Sequence, residues 1–320
     1  MEANLVRAAL ITALAPVAWG TTYWVTRQWL PPDLPLTGSA IRALPAGLLV
    51  LAVTRTLPRG SWWWRSAVIS VLTVGGLFVL LYVAGTRLPS GVAATLMASS
   101  SLAMLVVARI LLGEKASRRS HAGAFVGLAG VGLLIGGDDA RLDAVGIGAS
   151  ILAVVSSSIG FALAKRWSPP VGPLPFTGWL LTWAGVMLTP LALVVEGPPR
   201  GFSAPELGGF AYAALVATAL AYVCWFYGLA RLPAGTVGII GLLNPLAGAM
   251  LGVLVAGETM TMPQALGALS IAAGVAAALP RSRPDSPTRP GSPPRTRSHR
   301  HVGRLSNPAA PTQHTLVKSA

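Results

Sequence analysis

Two stretches of this 320-residue chain, 85–135 and 229–279, repeat one another at a fixed spacing of 144 residues. Arg87-Leu88-Pro89-Ser90-Gly91 answers Arg231-Leu232-Pro233-Ala234-Gly235, and Gly113-Glu114 answers Gly257-Glu258. The pairs Gly123-Ala124 and Gly130-Val131 answer Gly267-Ala268 and Gly274-Val275. Two copies of one sequence fold into two copies of one unit, so the chain is restricted to architectures in which like halves pack together.

Composition fixes the solvent around those halves. Hydrophobic residues make up 53% and charged residues 11%, with a mean hydropathy of +0.64, whereas soluble domains carry about 25% charge. Charge-free runs at 66–86, 88–108, 144–164, 167–195, 207–230, 232–257 and 259–280 each provide the roughly 20 residues that cross hydrocarbon. Apolar helices at 5–25, 37–54 and 120–137 complete the set. The expectation is an all-α membrane protein with ten crossings. The first repeat is 1–138 and the second 139–280, five helices each, joined through the Gly/Asp-rich segment 137–143.

An odd number of crossings per half makes the second half enter from the opposite side, so the repeats are inverted. A cytoplasmic N-terminus places nine Lys/Arg in inner loops against four in outer loops, which favours that orientation. Both termini are then cytoplasmic, in the plasma membrane. The first apolar stretch has no small-residue cleavage site and reads as a retained helix. Half of the +14 net charge lies in 281–320, where eight Lys/Arg face Asp285 among seven prolines. That tail reads as disordered and solvated, with no specific nucleic-acid site.

Ala18-Trp19-Gly20-Thr21-Thr22-Tyr23, Arg42, the stretch 84–102 and the Gly-Glu pairs at 113–114 and 257–258 resemble the EamA-type proteins of the drug/metabolite transporter superfamily, over residues 5–280. The resemblance implies a ten-helix secondary transporter, commonly an exporter of amino acids or other small metabolites. Its solute site lies among the first, third, fourth, sixth, eighth and ninth helices, and it works in the bilayer as a monomer or homodimer. Two departures stand out. The ninth helix keeps Asn244-Pro245 where the fourth has Ser100-Ser101, and Trp19-Gly20 is answered by Ser157-Ser158.

Within that frame the cavity candidates are Trp19, Tyr23, Arg42, Tyr82, Ser100, Ser157, Trp225 and Asn244. Arg42 stands inside the second helix, where a guanidinium must find protein or water. It either meets an acidic group of a solute or ties to backbone carbonyls. The aromatics either form a wall for the solute or pack between helices, and the serines either line a polar cavity or allow close helix approach. Asn244-Pro245 interrupts a helix and frees carbonyls.

Glu114, Glu258 and Pro245 are the gating candidates, the two acids standing at equivalent places before the fifth and tenth helices. Local pairing and helix termination are the competing roles for the acids. His121 is the one titratable candidate for coupling to protons. No phosphate loop, metal cluster or nucleophile motif is present, so neither an enzyme nor a bound cofactor is expected. A non-transporting sensor or scaffold acting through the basic tail is the alternative to a transporter.

Overall fold

The computed structural model describes residues 2–88, 95–135, 143–257 and 259–279, and the regular elements among them are all helices. The expected disordered tail and Glu258 lie outside the described residues. Among the described residues ten helical segments follow in chain order: α1 Glu2–Trp29, α2 Pro35–Thr54, α3 Trp62–Arg87, α4 Thr95–Leu112, α5 Arg118–Ile135, α6 Ala144–Trp167, α7 Pro173–Val195, α8 Ala204–Leu229, α9 Ala234–Val255 and α10 Met262–Ala278. Eight of them, α1–α4 and α6–α9, are long and apolar enough to cross a membrane. The other two fall short for local reasons. Segment α10 has 17 residues, and the first turn of α5 holds Arg118, Arg119 and His121.

The outward faces carry large apolar side chains, among them Ile110, Val194 and Leu254, each at least 72% exposed. Such a surface suits hydrocarbon, not water. The protein is a multi-pass membrane protein. Its interior is built from small and aromatic residues, with Phe176, Leu180, Leu181, Leu188 and Ile271 fully buried.

Helix pairing follows a simple exchange. Segment α2 lies along α7 and α5 along α10, while α1 packs on α8 and α9 as α6 packs on α3 and α4. The α5/α10 contact brings backbone against backbone. A methyl group added at Gly130 would sit 2.7 Å from the Gly267 carbonyl oxygen, and one added at Gly267 would sit 2.6 Å from the Gly130 carbonyl. Gly123 and Gly274 meet in the same reciprocal way at 2.5 Å. The two helices are therefore antiparallel, with backbones touching where only hydrogen fits.

Irregularities recur at the 144-residue spacing. Segment α3 contains a π-helical turn at Val71–Gly75 and α8 contains one starting at the matching residue, Leu215–Leu220. Such turns insert a residue into the helix and are frequent at functional sites. Segment α4 is interrupted at Ser99, and α9 divides into Ala234–Ile240 and Leu243–Ala256 at nearly the same register. Each of these helices ends on a glycine, Gly113 or Gly257, with φ +68° in both cases. A side chain is strained in that left-handed conformation, so glycine is the residue that can stop both helices and start the turn.

Candidate functional site

The interruptions bring four helices to one junction. Gly20 of α1 faces Asn244 so closely that a methyl group there would lie 2.5 Å from the Asn244 carbonyl oxygen. Its neighbour Trp19 packs on two rings of α8, Trp225 at 5.1 Å and Tyr222 at 5.5 Å between centroids. Phe161 of α6 closes the group at 5.5 Å from Trp225. The junction is thus walled by aromatic faces from α1, α6 and α8 and floored by the divided α9.

Polar atoms here are left over. Trp225 Nε1 and Asn244 Oδ1, and on α6 the Ser158 Oγ three residues before Phe161, are buried and without a hydrogen-bond partner, as are Arg65 Nε and Thr177 Oγ1 elsewhere. An unpaired buried polar group costs about 1–3 kcal/mol, so Trp225 Nε1 and Asn244 Oδ1 are atoms that a partner would stabilise. Ser158 is one residue from Ser157, whose hydroxyl donates to the Ala153 carbonyl at 2.7 Å within α6.

Arg42 meets α8 one turn before Tyr222. Its Nε donates to Thr218 Oγ1 at 2.9 Å, its Nη2 donates to the Ala217 carbonyl at 3.3 Å, and its guanidinium lies 4.8 Å from the Phe78 ring centroid. No carboxylate pairs with it among the described residues. The Ala217 carbonyl belongs to the α8 π turn. At the matching position of α3, the Thr73 carbonyl accepts the Tyr222 hydroxyl at 2.7 Å. Each π turn therefore offers a carbonyl at the same register, and a side chain from another helix takes it.

The remaining candidates are spread along the same helices. Ser100 begins the second piece of α4, and Asn244-Pro245 begins that of α9. Ser100, Asn244, Pro245 and Tyr82 are all half-buried. The side chain of Tyr23 lies outside the described residues. His121 is exposed, its ring within 2.9 Å of the Ser117 carbonyl in the first turn of α5.

Glu114 stands apart from the junction, at one end of the helices. Its Oε2 accepts the backbone N–H of Ala234 at 2.7 Å, and its Oε1 pairs with Lys165 Nζ at 2.7 Å. Lys165 also donates to the Leu232 carbonyl. One carboxylate thus links the α4–α5 turn, the end of α6 and the start of α9.

Sequence reasoning singled out neither Tyr222, Thr218 and Phe161 nor the partner of Glu114. The repeat held part of the signal, since Tyr222 stands 144 residues after Phe78, the ring beneath Arg42.

Comparison with known proteins agrees with this architecture. The EamA-like transporter family pattern matches the chain twice, over residues 6–136 and 144–279. Protein PecM of Dickeya dadantii (strain 3937) is 37% identical over 259 residues, 80% of this chain and 87% of that protein. The uncharacterized inner membrane transporter YedA of Escherichia coli (strain K12) is 28% identical over 253 residues, 77% of this chain and 81% of that protein. A solved crystal structure superposes with a TM-score of 0.73 at 19% identity, covering 85% of this chain and 98% of its own, which shows the shared fold.

Proposed function

Because the chain belongs to the EamA-like transporter family, we propose that it is a secondary transporter that exports a small organic solute by alternating access. The observation that carries this reading is the junction of Trp19, Tyr222, Trp225 and Asn244, where unpartnered polar atoms meet aromatic walls beside an interrupted helix. Interrupted membrane helices at corresponding places in two halves are a usual mark of a transport site.

In this reading all ten helices cross the plasma membrane, as two inverted repeats, 1–138 and 139–280, with both termini and the tail 281–320 in the cytoplasm. The reciprocal contacts of Gly123 with Gly274 and of Gly130 with Gly267 support it. They are what a two-fold axis between antiparallel partners produces. The exchange of neighbours between α1 and α6 supports it too.

Arg42, Trp19, Tyr23, Tyr82, Ser100, Ser157, Trp225 and Asn244 are the proposed cavity residues. Glu114 is the proposed inner gate. Its bonds to Lys165 and Ala234 tie together three helix ends that must part for the solute to enter from the cytoplasm. Glu258 is its repeat partner, and Pro245 supplies the bend between them.

Flux of a metabolite panel into and out of proteoliposomes, with and without an imposed proton gradient, tests the proposal. Solute-specific flux that a Trp19→Ala variant loses is the expected result. Absence of flux for the whole panel would overturn it.

A further inference from the structure

The charges around the junction are one-sided. The described acids and the described histidine all stand at helix ends. Asp33 precedes α2, Asp143 caps α6 through the Gly146 N–H, and Glu196 accepts the Leu36 and Thr37 N–H groups. Glu206 pairs with Arg200 at the start of α8, while Glu114 and His121 flank the α4–α5 turn. Among the described residues Arg42 bonds α8 beside this wall with no carboxylate partner, whereas Lys165, one turn after Phe161 on α6, is neutralised by Glu114.

The backbone offers a cation little more. At the interruptions, Leu96 accepts from Ser99 Oγ, Ala98 from Ser101 Oγ, Ile239 from the Leu242 N–H and Gly241 from the Asn244 N–H. What remains unpaired suits a different ligand. Trp225 Nε1 can only donate and so calls for an acceptor. Asn244 Oδ1 is an acceptor and calls for a donor, and Ser158 can do either.

Resting on the transport reading above, we propose that the junction takes a flat ring solute of zero or negative charge, bearing a carbonyl-type acceptor and an N–H or O–H donor. It rejects solutes with a positive charge. The ring lies against Trp19 and Phe161, the acceptor meets the Trp225 N–H, and the donor meets the side-chain Oδ1 of Asn244. Arg42 stands two helical turns along α8 from Trp225, because its partner Thr218 is seven residues earlier. Its field favours an anion and repels a cation without contact. An ammonium here would lose its hydration and gain no counter-charge.

Benzamide, benzoate and benzylamine test the proposal, since they share a ring and nearly a shape but carry charges of zero, minus one and plus one. The readout is the indole N–H resonance of Trp225 in full-length protein labelled with nitrogen-15 tryptophan, identified by its loss in Trp225→Phe. Benzamide and benzoate should shift that resonance, and benzylamine should bind at least about tenfold more weakly. Asn244→Asp supplies the missing negative charge and should reverse the order, admitting benzylamine and expelling benzoate.

Benzylamine binding as tightly as benzamide, no response to any probe, or an unchanged order in Asn244→Asp would each overturn the inference. Binding in the expected order by a protein that carries no flux would sustain the inference and overturn the transport reading.

Discussion

Lys165 and Glu114 form a 2.7 Å ion pair between the end of α6 and the α4–α5 turn, and the same carboxylate caps the first residue of α9. Both side chains are about a quarter exposed. Ordinary surface pairs contribute little, but this one also satisfies a helix N–H. Glu114→Ala should lower stability by about 0.5–2 kcal/mol, the usual worth of a lost cap. Glu114→Gln, which keeps an acceptor for Ala234, should lose less. Thermal unfolding in detergent ranks the two, and equal losses would mean that the cap does not matter.

Gly130 and Gly132 give a matched pair on one helix. A methyl at Gly130 meets the Gly267 carbonyl oxygen at 2.7 Å and Ser270 Cβ at 2.8 Å, whereas one at Gly132 meets nothing within 4 Å. Gly130→Ala should destabilise by about 1–3 kcal/mol through overpacking, and Gly132→Ala should be nearly silent. Melting temperatures of the two variants decide the matter.

Arg42 uses two nitrogens on two acceptors, Thr218 Oγ1 and the Ala217 carbonyl. A lysine ammonium lacks the planar fork and cannot reproduce both contacts while lying over Phe78. Arg42→Lys should therefore behave like Arg42→Gln in flux assays, each falling about tenfold or more if one charge-assisted bond of about 1.5–3 kcal/mol is lost. Thr218→Val, which removes only one acceptor, should fall between these and the parent.

Deletion of 281–320 separates the transporter from the scaffold alternative. If the helices do the work, flux in proteoliposomes should stay within about twofold of the full chain, since basic residues near a charged leaflet contribute lipid attraction of about 1 kcal/mol each. Loss of flux on deletion would assign the tail a direct part in transport.

Much of this architecture was legible in the residues because lipid imposes a simple rule. Each crossing must be an apolar run of sufficient length, and the runs are visible. The repeat also carried three-dimensional information, since Gly123, Gly130, Gly267 and Gly274 are repeat partners before they are contacts.

The partners of Arg42 were not legible. They come from a helix about 175 residues further on, and one is a backbone carbonyl in a π turn that no residue type announces. Ser157 and Ser158 differ by one step around α6, about 100°. Which hydroxyl turns to its own helix and which stays unpaired is decided by packing. Glu114 was recognisable by position, but its cap on Ala234 joins parts of the chain 120 residues apart.

The paired π turns have a bearing on history. An extra residue that begins at Val71 in one half and at Leu215 in the other is most simply a single insertion inherited by both copies. The bulge then predates the doubling and was already present in the single-copy ancestor. If the halves are inverted as proposed, such an ancestor had to pair with an oppositely inserted copy of itself to assemble the same core. On the inverted-repeat topology proposed above, the present chain would be that dimer joined into one polypeptide.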